Sequence, residues 1–179
     1  MDVRIREILE HHRDKYNPKY PIMSLVKNEE ENNMKNYIAY GSNLNIEQMK
    51  RRCPSAKIVC VGLIEDHRLA FKGSRSGNYL TIEPAKNHTV PVAVWSISDQ
   101  DEINLDMYEG FPTFYRKETI TVKTPGFTEP EIEGMVYIMN GCRYGQPSDS
   151  YMRTCVEGYN AFGFSLRALR DAVDYSVER

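Results

Sequence analysis

From residue 35 onward, apolar and polar positions alternate in short runs, the pattern of half-buried β-strands rather than of long amphipathic helices. Residues 37–40 form an apolar run that stops at Gly41, Ser42 and Asn43. Further strands are predicted at 58–64, 69–72, 79–83, 90–97, 116–123 and 133–139, each bounded by polar, Gly or Pro punctuation. About six to seven strands are too many for a helical bundle. Helical signals fall between and after them. Asn45 and Gln48 have the spacing of a capping box, predicting a helix through Arg52 that stops at Cys53 and Pro54. Ser98, three residues ahead of Asp101, predicts a second helix, with Ile103, Leu105 and Met107 as its apolar contacts. Gly110 is placed just past its end and Pro112 prevents continuation, so Glu109 falls on the last turn. Ser148 predicts a helix through Tyr159, and Ser165 a last one carrying Leu166, Leu169, Ala172 and Val173. The class expected is α+β, with a closed or strongly curved sheet.

Residues 1–33 read differently: a charged, helix-like opening, breakers at Asn17-Pro18 and Tyr20-Pro21, and a polar run over 27–33. They are expected to be an N-terminal helical extension and linker ahead of a domain spanning 34–179. A chain of 179 residues can bury a full core without disulfide or metal staples. Hydrophobic content of 41% with 27% charged residues argues against disorder and against a fibrous chain. The formal net charge of -2 offers no electrostatic footprint for a polyanion, so nucleic acid is not an expected partner. No run of about 18 apolar residues occurs and the first residues are charged throughout, so the expectation is no membrane partner and a cytoplasmic location. Cys53, Cys60, Cys142 and Cys155 form no CxxC pair and have no histidine at zinc-site spacing, and are read as reduced packing thiols. His11 and His12 point to different helix faces, and His67 and His88 stand alone. Neither a metal nor a cofactor is expected.

The strand–turn–helix unit around Gly41 has an obvious use, since such a turn points backbone N–H groups and a positive helix end at an anion. Glycine there permits close approach of a ligand. Lys72 and Arg75, flanking a Gly/Ser-rich turn, are candidates for meeting a carboxylate, although such loops are commonly plain connections.

Tyr40, Gly41, Ser42, Asn43 and Leu44, at the end of a first strand, resemble the opening signature of the gamma-glutamylcyclotransferase-like (AIG2-like) family. The segment Leu105-Asp106-Met107-Tyr108-Glu109-Gly110-Phe111-Pro112, with Tyr115 after it, is similar to the family's "LDxxEGxPxxY" stretch. A softer match comprises Tyr137, Tyr144, Pro147-Ser148 and Tyr151 with Gly158. The resemblance covers residues 36 to about 170. It implies a small mixed β-barrel flanked by helices and conversion of a gamma-glutamyl amine or gamma-glutamyl amino acid to 5-oxoproline plus free amine. It implies Glu109 as general acid/base and Tyr40 through Leu44, Tyr115 and Tyr144 as substrate-binding residues. Helix-end placement and burial beside Tyr108, Phe111 and Tyr115 would raise the Glu109 pKa, with Tyr115 orienting substrate or hydrogen-bonding the carboxyl. Glutathione-specific relatives carry another residue at the place of Asn43, which points away from that substrate. The expected partner is a small gamma-glutamyl molecule, the expected state a monomer or homodimer. A catalytically silent ligand-binding domain on the same scaffold is the alternative, as is an enzyme using the cavity for another amide reaction.

Overall fold

A computed structural model describes residues 3–11, 34–74 and 77–179. Two long strands dominate: β2 (Lys57–Ser74) and β3 (Gly77–Ile97) form an antiparallel hairpin. β1 (Lys35–Ala39) pairs antiparallel with β3, from Lys35 opposite Ile97 to Ala39 opposite Ala93. Its other edge runs parallel to β5 (Glu131–Met139), with Tyr37 opposite Met135. β5 is antiparallel to β4 (Tyr115–Lys123), and β4 meets β2 where Leu63 faces Lys123. The circuit β3-β1-β5-β4-β2 closes through the β2–β3 pairing. The result is a mixed five-stranded barrel, to which β6 (Arg143–Tyr144) adds an extra strand beside Lys72 and Gly73.

The strands expected at 58–64 and 69–72 are thus one strand, as are those expected at 79–83 and 90–97. What read as punctuation is an irregularity within the ladder. Asp66 adopts φ 53 and Asn87 φ 62, the left-handed region that Asp and Asn tolerate better than most residues. The Asn87 amide donates to Asp66 Oδ1 at 2.8 Å, and pairing resumes on both sides with a shifted register.

The helices are α1 (Val3–His11), α2 (Ile46–Arg52), α3 (Asp99–Glu109), α4 (Asp149–Phe162) and α5 (Arg167–Val177). Asn45 caps α2 by accepting from the Gln48 amide, and Ser98 and Asp101 form a reciprocal capping box on α3. Gly110 closes α3 in the left-handed conformation with φ 65. Leu105 on α3 is buried, but Ile103 and Met107 face solvent, so only one of the three expected apolar contacts reaches the core. Ser165 is not the cap of α5: Leu166 holds that position, and Ser165 Oγ accepts from the Arg167 amide at 3.3 Å. α1 is not a free appendage, because Ile5, Ile8 and Leu9 are buried in the common core and the helix packs on α4. The expected linker at 12–33 lies outside the described residues. None of the described helices is long and apolar enough to cross a membrane.

Candidate active site

Where β1 ends, the chain turns through Gly41 into a 3-10 turn, Ser42–Leu44, and then into α2. The Leu44 amide bonds to the Gly41 carbonyl at 3.0 Å and that of Asn45 to the Ser42 carbonyl at 3.0 Å. The amides of Ser42 and Asn43 precede these bonds, where a helical turn leaves donors open. α4 braces the loop from behind. A Cβ on Gly158 would lie 2.7 Å from the backbone carbon of Leu44 and 2.8 Å from the Asn45 nitrogen, so glycine lets the two backbones touch. Leu44 itself is fully buried.

In front of the loop a cavity of about 290 Å3, its open mouth included, is lined by Gly41, Ser42, Asn43, Leu80, Glu109 and five tyrosines. The tyrosines come from four elements and the loop: Tyr37 on β1, Tyr40 after it, Tyr115 on β4, Tyr137 on β5 and Tyr151 on α4. Burial raises the pKa of each, so all five are phenols at neutral pH.

Three of these phenols spend their protons on the protein. Tyr40 donates to the Tyr137 carbonyl at 2.6 Å, Tyr115 to the Leu80 carbonyl at 2.8 Å and Tyr137 to Asp106 Oδ1 at 2.6 Å. The other two receive protons instead. Tyr37 Oη accepts from Asn43 Nδ2 at 2.6 Å and Tyr151 Oη from the Leu80 amide at 3.1 Å. The cavity therefore offers a hydroxyl donor at Tyr37, and oxygen acceptors at Tyr40 and Tyr115.

Glu109, the last residue of α3, brings the one carboxyl group of the lining among the described residues. Its Oε1 accepts from Asn43 Nδ2 at 2.8 Å. Burial pushes its pKa up to about 7, against the opposing effects of the Asn43 hydrogen bond and the Arg52 charge. The group is poised between acid and base at neutral pH. The walls that desolvate it are the five tyrosines. Tyr108 and Phe111, expected from sequence to bury the carboxyl, are 49% and 38% exposed. Tyr115 bonds to Leu80 rather than to Glu109.

Of the residues expected from sequence, Tyr40, Gly41, Ser42, Asn43, Tyr115 and Glu109 converge on this cavity. A Cβ on Gly41 would meet Tyr151 Oη at 3.3 Å and the Leu80 Cβ at 3.4 Å, so that glycine serves close approach. Leu44 supports the loop from below without reaching the lining. Tyr144 stands apart, on β6, where its hydroxyl donates to Glu83 at 2.9 Å and its ring covers the Lys72 ammonium at 4.3 Å. Lys72 is paired to Glu83 at 2.7 Å, and Arg75 lies outside the described residues. Sequence reasoning gave no site role to Tyr37, Tyr137 or Tyr151. The parallel β1–β5 pairing brings Tyr37 and Tyr137 together, and the packing of α4 on the barrel adds Tyr151, whose hydroxyl accepts from the Leu80 amide; neither is written in local spacing.

Residues 37–155 match the family model described as gamma-glutamyl cyclotransferase, AIG2-like. The gamma-glutamylcyclotransferase of Homo sapiens is 30% identical over 137 residues, covering 73% of this chain and 72% of that protein. Its Mus musculus counterpart is 30% identical over 129 residues, 68% of each chain. A solved structure named gamma-glutamyl cyclotransferase superposes with TM-score 0.70 at 27% identity, covering 78% of this chain and 86% of that one. With the barrel, the loop and the helix-end glutamate in one arrangement, the chain belongs to the gamma-glutamyl cyclotransferase, AIG2-like family of enzymes.

Proposed function

We propose that the protein cyclises a gamma-glutamyl amine or gamma-glutamyl amino acid to 5-oxoproline, releasing the amine, with Glu109 as the proton carrier. The observation that carries this reading is a buried carboxyl group with a pKa of about 7 facing the cavity in front of the Gly41 loop. In the reaction the substrate's α-ammonium gives a proton to the Glu109 carboxylate, and the freed amine attacks the γ-carbonyl carbon of the same molecule. A C–N bond forms, the carbonyl oxygen takes up negative charge, and Glu109 returns the proton to the departing nitrogen as the old C–N bond breaks and the carbonyl re-forms; the ring nitrogen gives up its second proton to the released amine, which leaves as an ammonium. One carboxyl group serves both transfers.

Both reacting groups belong to one molecule, so the protein's task is to fold the glutamyl chain back on itself. Holding such a geometry supplies roughly 7–11 kcal/mol in the best intramolecular cases. The donors and acceptors divide accordingly. The Ser42 and Asn43 amides and the Tyr37 hydroxyl proton suit the α-carboxylate and the developing oxyanion. The oxygens of Tyr40 and Tyr115 suit the α-ammonium, and among the described residues the lining holds no lysine or arginine to repel it. The protein is read as acting in the cytoplasm on this small molecule.

Incubation with a panel of gamma-glutamyl amines, gamma-glutamyl dipeptides and glutathione, with 5-oxoproline measured by mass spectrometry, tests the reading. Product is expected from at least one substrate, with a loss of at least about 100-fold in Glu109→Gln. Because the base must be ionised, kcat/KM should fall about tenfold per pH unit below about 7. Full turnover in Glu109→Gln sinks the mechanism. No product across the panel favours the silent binding domain instead.

A further inference from the structure

Arg52 does not line the cavity, yet both terminal nitrogens of its side chain are engaged around a residue that does. It ends α2, and its guanidinium lies flat over the ring of Tyr108, 3.4 Å from the ring centre. Nη2 donates to Gln48 Oε1 at 2.5 Å, one turn back on the same helix. Nη1 donates to Asn43 Oδ1. Its backbone carbonyl accepts from Asn104 Nδ2 of α3 at 2.9 Å, tying α2 to the helix that carries Glu109.

A side-chain amide can face two ways, and its oxygen and nitrogen differ in sign. With Oδ1 held by Arg52, the NH2 group of Asn43 must face the cavity, where it donates to Glu109 and Tyr37. Turned over, the amide oxygen would sit against the Glu109 carboxylate, opposing ionisation, and Tyr37 would lose its N–H donor. Asn43 is 4% exposed, so water cannot substitute for the lost partner. A planar fork held by stacking on Tyr108 and by Gln48 is suited to this task in a way a single ammonium is not.

We propose that Arg52 is a positioning residue of the reaction: it locks the Asn43 amide in the orientation that presents NH2 to Glu109. The proposal rests on the reading of Glu109 as the proton carrier. The titratable groups facing Glu109 are the phenols of Tyr37, Tyr40, Tyr115, Tyr137 and Tyr151, all protonated in the working range, which leaves Arg52 as the nearby charge that can shift its titration.

The test compares wild type, Arg52→Met, Arg52→Lys and Glu109→Gln. The readouts are the pH profile of kcat/KM and, independent of turnover, the titration midpoint of Glu109 followed by carbon NMR. Arg52→Met should lose about 10–100-fold in kcat/KM, mainly through kcat, and raise both the acidic limb and the NMR midpoint by about one pH unit. Arg52→Lys keeps the charge but not the fork. Its midpoint should return to within a few tenths of wild type while kcat stays reduced at least about threefold. An Arg52→Met protein with the wild-type limb and midpoint overturns the proposal alone, as does Arg52→Lys with wild-type kcat. Full turnover in Glu109→Gln overturns the proton-carrier reading and this proposal with it.

Discussion

Glu109 and Glu83 each sit at a hollow of the barrel and beside tyrosines, and these two carboxyl groups are driven in opposite directions. Glu109 faces the smaller cavity, and its pKa rises to about 7. Glu83 faces a larger hollow, about 560 Å3 counted with its mouth, lined also by Lys72, His67 and Arg116. Burial alone would raise its pKa too, but the Lys72 ammonium at 2.7 Å and the hydroxyls of Tyr175 at 2.6 Å and Tyr144 at 2.9 Å outweigh it, and the pKa is lowered. Burial makes a carboxyl group reactive only where no cation touches it. Glu109 accepts from the Asn43 amide and has an arginine that reaches it only through that amide; Glu83 has a direct counter-charge and two donated hydroxyls. On the proposed function, the larger hollow would carry a structural carboxylate and the smaller one the chemistry.

The strongest way to break this comparison is activity. Glu109→Gln should cost at least about 100-fold in 5-oxoproline formation, whereas Glu83→Gln should stay within about threefold once corrected for folded fraction. Comparable losses in both would mean that the second hollow takes part in the reaction.

The next effect is on stability, and the two glutamates should differ in sign. The folded-state pKa of Glu109 lies above the ordinary 4.5, so between about 4.5 and about 7 the native protein holds a proton the unfolded chain has released. Stability falls as pH rises through that window and stays reduced above it. Glu109→Gln should therefore gain on the order of 2–3 kcal/mol relative to wild type between pH 4.5 and pH 8. Glu83 has a lowered folded-state pKa, so its contribution is present above the ordinary value and lost as pH falls through the folded value. Glu83→Gln should be less stable by about 1–2 kcal/mol at neutral pH, with the gap closing in acid below about 4.5. Urea unfolding across pH measures both curves, and parallel curves would remove the distinction.

How much of this was legible before the structure depends on how local each signal is. The capping residues Asn45 and Ser98, the stop at Gly110 and the place of Glu109 on the last turn are set by side chains within a few residues of one another, and all were readable. The barrel's closure was readable only as a class, because Asp66 and Asn87 look like loop residues and in fact sit inside two continuous strands. The tyrosine lining was not readable. Tyr108 and Phe111 are neighbours of Glu109 in sequence, but one helical step swings Tyr108 by about 100° and Phe111 lies past the helix end, so both are partly exposed while residues from other elements surround the carboxyl. The same limit applies to Tyr144, which is near the site's residues in the chain but is held by Glu83 and α5 in space.

Gly158 sharpens the comparison from the side of the scaffold, since α4 braces the loop of the small cavity and not the large hollow. An alanine there would need Leu44 or Asn45 backbone to move, because its Cβ would lie 2.7–2.8 Å from them. Gly158→Ala should destabilise the protein by about 1–3 kcal/mol and reduce turnover at least about tenfold through the displaced loop. Thermal unfolding and kcat of the folded fraction check it, and a wild-type kcat would show that the loop tolerates the shift.

The smallest effect expected is at Tyr144, and it decides which hollow that residue serves. Its hydroxyl is one of three groups on Glu83, and its ring packs edge-on against Tyr175 with centroids 5.7 Å apart. Tyr144→Phe keeps the ring over Lys72 and removes a single hydrogen bond to a carboxylate that retains two other partners. The loss of stability should be below about 1.5 kcal/mol. Neither KM nor kcat for the gamma-glutamyl substrate should change by more than about twofold, since nothing that lines the small cavity touches the lost hydroxyl. A severalfold rise in KM would instead place Tyr144 on the substrate's path and join the two hollows into one site.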